Sequence, residues 1–105
     1  MSRLVVLCTV GKAEDAEWIA REVVERRLAA CVNVVPAITS IYRWRGEVEK
    51  NEEILLVMKT RSERFEALRE AIVSMHSSEV PEVIALAIEA GHPPYLAWLD
   101  DSVGD

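Results

Sequence analysis

Two stretches of this chain, Leu4 to Val10 and Ile54 to Met58, carry apolar residues at nearly every position rather than at every second one. Successive side chains of a β-strand point to opposite faces of its sheet, so a strand of this kind has to be covered on both sides. In a sequence of 105 residues there is room for a single domain, residues 1–105, and little surplus chain to do the covering. Everything else in the sequence is read against that demand.

The segment between the two runs starts as a helix. From Ala13 to Leu28 the apolar positions Ala16, Ile19, Ala20, Val23, Val24 and Leu28 follow helical spacing. Glu14, Asp15 and Glu17 stand in the first turn and Arg26-Arg27 in the last, which complements the helix dipole. Cys31 to Arg45 is β-branched and aromatic but interrupted by Pro36, which predicts a long strand with a bulge or bend. Gly46 marks a hairpin turn, and Glu47 to Thr60 returns as the partner strand. Thr60-Arg61-Ser62-Glu63 has the form of a capping box ahead of a second helix, with Phe65, Leu68, Ile72 and Met75 as its buried stripe and its end near His76. Val83 to Ala90 reads as the last strand, and Tyr95 to Leu99 as a short terminal helix.

The order strand, helix, strand, strand, helix, strand predicts an α+β fold: a ferredoxin-like βαββαβ sandwich with an antiparallel sheet and a long central hairpin. Both main helices then lie on one face. The other face is left apolar, and the projecting hairpin offers unpaired edges, so the sequence calls for a second copy of itself.

Composition excludes several classes of function. The formal charge is −6, and the twelve basic residues are scattered, so the stripe that nucleic-acid binding requires is absent. The run at Leu4 to Val10 is too short to span a membrane and lacks signal-peptide architecture, so the expected location is cytoplasmic. Cys8 and Cys31 have no paired spacing and read as reduced thiols. Neither a phosphate-cradling glycine loop nor a Gly-x-Ser-x-Gly elbow is present, and no catalytic constellation can be assembled, so the chain reads as a non-enzyme.

The segment RLAACVNVVPAITSIYRWRGEVE, Arg27 to Glu49, closely resembles the central motif of the CutA divalent-cation tolerance proteins. VLCT (Val6 to Thr9), LLVMKT (Leu55 to Thr60), HSSEVPEV (His76 to Val83) and YLAWL (Tyr95 to Leu99) match the same family in order and spacing. The resemblance implies a ferredoxin-like subunit in a homotrimer, and an association with tolerance to divalent metals, copper above all; it implies no known reaction. One departure stands out. Where the family carries a Pro-Tyr pair after its histidine, this chain has Ser77-Ser78 after His76, so a stacking ring is missing there.

Cys31 and His76 are the first metal-ligand candidates, because a thiolate and an imidazole suit copper or zinc and both positions fit the family pattern. Cys8 is a third soft donor, although a cysteine in a Val-rich strand more often packs as a small hydrophobe. Glu79, with Glu82, offers hard donors near His76, or simply solvated carboxylates. Without Cys-x-x-Cys or His-x-x-x-His spacing, the expectation is a surface or intersubunit site of modest affinity rather than a closed one. Tyr42, Trp44, Lys59 and Trp98 are read as lining an intersubunit cleft or packing in the interface itself. The alternative function is a PII-like trimeric signalling module that binds a small anion in that cleft, an analogy of fold only.

Overall fold

The computed structural model describes residues 2–104, which form one four-stranded antiparallel sheet and three helices. β1 (Arg3–Val10) is followed by α1 (Ala13–Glu25), the hairpin of β2 (Cys31–Trp44) and β3 (Glu47–Arg61), a 3-10 turn at Ser62–Arg64, α2 (Phe65–Met75), β4 (Ile84–Ala87) and α3 (Pro93–Ser102). The strands lie in the order β2-β3-β1-β4, the ferredoxin-like order read from its far edge, with the two apolar runs side by side at the centre. No helix among the described residues is long and apolar enough to cross a membrane.

Strand alternation divides the apolar residues between two faces. Val6, Cys8 and Val10 of β1 and Ile54, Leu56 and Met58 of β3 are buried against Ala16, Ile19 and Val23 of α1 and Leu68, Ala71 and Ile72 of α2. The residues between them, Val5, Leu7, Leu55 and Val57, point the other way and are only half-buried. Register places Leu86 beside Val5 and Ile84 beside Leu7 on that open side, where they remain 54% and 52% exposed.

Local chemistry shapes the hairpin. The pairing of β2 with β3 slips between Val35 and Ile38, around Pro36 and Ala37, and Ala37 takes a φ of 59°. Proline cannot donate to the ladder, so the extra residue and the left-handed backbone at this bulge accommodate it. The tip, Arg45-Gly46, has both residues at positive φ (52° and 83°), the tight two-residue turn whose twist suits a hairpin.

Three expectations need correction. α1 ends at Glu25, so Arg26-Arg27 lies outside its last turn; Arg26 pairs with Glu22, and Arg27, at φ 59°, reverses the chain. The capping box does not form. Thr60 stays in β3, fully buried, and donates its hydroxyl to the carbonyl of Leu28 at 2.6 Å, while Glu63 pairs with Arg61. The last strand is also shorter than Val83 to Ala90, because Ile88 leaves the ladder after one bond to Arg3 and joins a separate small cluster.

That small cluster belongs to α3. Leu99 and Val103 bury against Ala30 and Ile88, apart from the main core. Asp100 accepts two bonds from the Arg3 guanidinium, at 2.9 and 2.7 Å, and Arg61 lies 4.0 Å away. Because Arg3 and Arg61 share the open side of the sheet, α3 covers one end of that face and leaves the centre uncovered. The Arg27 guanidinium caps the same, C-terminal end of the helix by donating to the carbonyls of Asp101 and Gly104.

Two stability tests follow from these contacts. Thr60→Val leaves the Leu28 carbonyl buried without a donor, and should cost about 1–3 kcal/mol, read as a lower urea midpoint at unchanged slope. The hydrogen bonds from Arg3, reinforced by the charges of Arg3 and Arg61, hold the Asp100 carboxyl below its ordinary pKa. A depressed acid stabilises the folded state above the unfolded value, near pH 4, and that contribution disappears as pH falls through the native value. Wild type should therefore lose more stability than Asp100→Asn between pH 5 and more acidic conditions, a difference thermal melts across roughly pH 2–6 would reveal.

Candidate functional site

The candidate residues fall at two ends of the open face. At the α3 end, Cys31 opens β2, half-buried, directly opposite Lys59 of β3. The Tyr95 hydroxyl of α3 lies 3.6 Å from Cys31 Sγ, and this contact, helped by burial, raises the pKa of the phenol. Lys59 donates to the Asn33 side-chain oxygen, two residues along β2 on the same side. Trp98 stacks on Tyr95 one turn later, with ring centroids 5.4 Å apart.

At the hairpin end, a groove of about 810 Å³ runs between Thr39–Trp44 of β2 and the segment from His76 to Glu82, with Thr9 and Glu53 at its floor. His76 is tied at both ring nitrogens. Ser78 N–H donates to Nδ1 at 3.0 Å, which makes Nδ1 the acceptor and leaves Nε2–H to donate to the carbonyl of Thr9 at 2.7 Å. Glu79 accepts two bonds from Arg45 at the hairpin tip, 3.0 and 3.1 Å, with both side chains largely exposed. Arg45 also lies 5.4 Å from the ring centroid of Trp44, and Asn51 donates to the Tyr42 hydroxyl at 2.6 Å.

These positions do not converge into a metal centre within one chain. Cys31 is level with Val5 across the sheet, whereas His76 is bonded at Thr9, four strand positions along, or about 13 Å. As placed, neither His76 nitrogen has a lone pair free for a metal; the imidazole holds the 76–82 segment against β1. Cys8 is fully buried in the main core, where burial, with the charges of Glu82 and Glu53 beyond it, pushes its pKa up to about 12. A thiol held protonated there is a packing group rather than a ligand. Glu79 is committed to Arg45. Among the described residues, no group of three or more His, Cys, Asp or Glu side chains is arranged to hold a metal ion.

The expected cleft residues are likewise split. Tyr42 pairs in register with Glu49, ten positions from Lys59 along β3, on the order of 33 Å. Lys59 and Trp98 therefore belong to one end and Tyr42 and Trp44 to the other. Sequence reading passed over Tyr95, Asn33 and Asn51, which make the polar contacts at the two ends. Tyr95 alone carried a signal, its place one helical turn before Trp98.

Residues 4–102 match the family model described as CutA1 divalent ion tolerance protein. The chain belongs to that family. It is 50% identical to the divalent-cation tolerance protein CutA of Thermus thermophilus over 100 residues, which cover 95% of this chain and 97% of the relative. A CutA homolog from Xenopus laevis is 58% identical over 88 residues, 84% of this chain, but the match spans only 58% of the Xenopus protein. Among solved structures, the divalent cation tolerance protein of Thermus thermophilus superposes with a TM-score of 0.95 at 49% identity, covering 97% of this chain and 99% of that one. CutA1 from Oryza sativa gives 0.96 at 42% identity, over 100% and 96%. The family is named for tolerance of ions and not for a reaction, and nothing in the site points to catalysis.

The contrast between the two cysteines gives a direct test of this CutA chain. At pH 8 Cys8 should stay unreactive toward a disulfide reagent in the native protein and be released only by denaturant. Native labelling of Cys8 at the rate of an unfolded thiol would contradict its placement.

Proposed function

We propose that this chain acts as a cytoplasmic homotrimer in tolerance to divalent metal ions, binding copper or a similar ion weakly at Cys31 and catalysing no reaction. Membership of a family named for divalent ion tolerance is the observation that carries the metal role. One relative, from Arabidopsis thaliana, is named as chloroplastic, so location differs among its members.

The geometry bears on how an ion would be held. One chain does not fit a closed metal site, because its soft and hard donors are apart and His76 is occupied. Cys31 is the soft donor that lies outside the main core, and its remaining ligands would come from water or from a second copy. Assembly is supported by the uncovered centre of the sheet. Val5, Leu7, Leu55, Val57, Ile84 and Leu86 form an apolar surface on which Ile84 and Leu86 stay more than half exposed, and the edge strands β2 and β4 are unpaired on their outer sides. A cleft holding both Lys59 and Trp44 requires two copies, one giving its α3 end and the other its hairpin.

An anion-binding role has less support. Arg3, Arg21, Arg26, Arg45, Arg61 and Arg69 are each paired with carboxylates, and Lys59 is bonded to Asn33.

Calorimetry with copper and zinc on wild type, Cys31→Ala and His76→Ala tests the metal reading. Binding should weaken about tenfold or more in Cys31→Ala and persist in His76→Ala. Equal binding in wild type and Cys31→Ala would remove the proposed donor, and no binding by wild type would end the reading. Light scattering should give a trimer mass at micromolar concentration. Trp44→Asp, Ile41→Asp and Leu86→Asp should each lower the mass and the melting temperature together; a wild-type monomer would refute the assembly.

A further inference from the structure

α3 is built as a separable unit. Its buried residue Leu99, with Val103 just past its end, packs with Ala30 and Ile88 in a cluster distinct from the main core, which holds no residue of α3. Its other attachments are polar and sit at defined points: Asp100 on Arg3, the Asp101 and Gly104 carbonyls on Arg27, and Tyr95 on Cys31. No side chain caps its N-terminus. An element with a small apolar anchor and a few part-exposed polar ties opens at lower free energy than the core beneath it. The two central strands and the two main helices, by contrast, share one continuous cluster.

What α3 lies on gives the opening a consequence. Tyr95 rests on Cys31, and Lys59 stands across the ladder from that thiol. We propose that α3 is a hinged cover: it opens as a unit while the main core stays folded, and opening uncovers Cys31 on the sheet. The 88–92 connector is the hinge, running from Ile88, whose amide is still bonded to Arg3, to His92 at the start of the helix. The cover goes beyond the metal reading and does not depend on it, since it concerns access to the thiol and not what binds there.

Hydrogen exchange on the intact protein, combined with iodoacetamide labelling read by mass spectrometry, tests the cover. Amides of Leu96 to Ser102 should exchange faster than those of Ile19 to Val23 in wild type. Asp100→Asn and Arg27→Gln, which remove two independent polar ties at the C-terminal end of α3, should each speed α3 exchange by about threefold or more. Cys31 labelling should rise in parallel while Cys8 and the α1 amides stay unchanged. General unfolding would show itself by moving Cys8 and α1 as well, which is why two variants and an internal control are used. Exchange of α3 and α1 at one common rate would overturn the proposal, and so would α3 exchange unmoved by either variant. Faster α3 exchange without faster Cys31 labelling would overturn the cover as well.

Discussion

The central pair of strands governs this molecule, because β1 and β3 are apolar on both sides and lie next to each other. Their helix-facing side chains give α1 and α2 a common surface, and this produces one continuous core from elements far apart in sequence. Burial of that kind is worth roughly 25 cal/mol per Å² of apolar surface, so the helical side is where most of the favourable energy of a single chain resides. The opposite side carries similar aliphatic residues but receives only α3, at one end. Every element of the described residues is placed elsewhere, and the remaining exposure is a property of the fold and not a local defect.

The hairpin extends the same problem beyond the sheet. After the bulge at Pro36 and Ala37, β2 and β3 run on without β1 beside them, and their neighbour within the chain is the 76–82 segment, which flanks the groove and reaches Arg45 through Glu79. Polar residues increase along this extension: Glu47, Glu49, Asn51 and Glu53 occupy the side that nearer the core held Leu55 and Val57. The change in character explains why the candidate residues separate into two groups. Aromatic and polar groups at the tip answer to the hairpin, while Cys31, Lys59 and Tyr95 answer to α3 and the sheet.

Local patterns carried much of this into the sequence. The two-sided strands, the proline bulge and the glycine turn each depend on residues close together in the chain and appear where their chemistry puts them; the stripe of the first helix holds at Ala16, Ile19, Ala20 and Val23, whereas Val24 is exposed and Leu28 lies beyond the helix end. Contacts between distant residues were not legible. Thr60 has the sequence of a helix cap, yet its hydroxyl is taken by Leu28, thirty-two residues away, because a buried carbonyl there needs a donor. His76 reads as a free imidazole until Thr9 and Ser78 are seen to occupy both nitrogens. The pairing of Arg3 with Asp100 joins residues ninety-seven positions apart, and with the contact of Tyr95 on Cys31 it shows on which face α3 rests.

Lys59 shows how strongly the open face limits what can cover it. On the open side it is in register with Val5, which pairs in turn with Leu86, and its ammonium donates to the Asn33 oxygen, one of the three hydrogen bonds an ammonium can make. Under solvent this arrangement is inexpensive. Under an apolar cover the charge would lose its hydration, and a buried ammonium with one neutral acceptor costs several kcal/mol, on the order of what a modest interface gains. A surface that closes over this end must therefore bring an acceptor or a carboxylate to Lys59, or leave water beside it. An aliphatic patch by itself would accept many partners and registers. With a lysine inside it, the face tolerates only those that place a compatible group at that position.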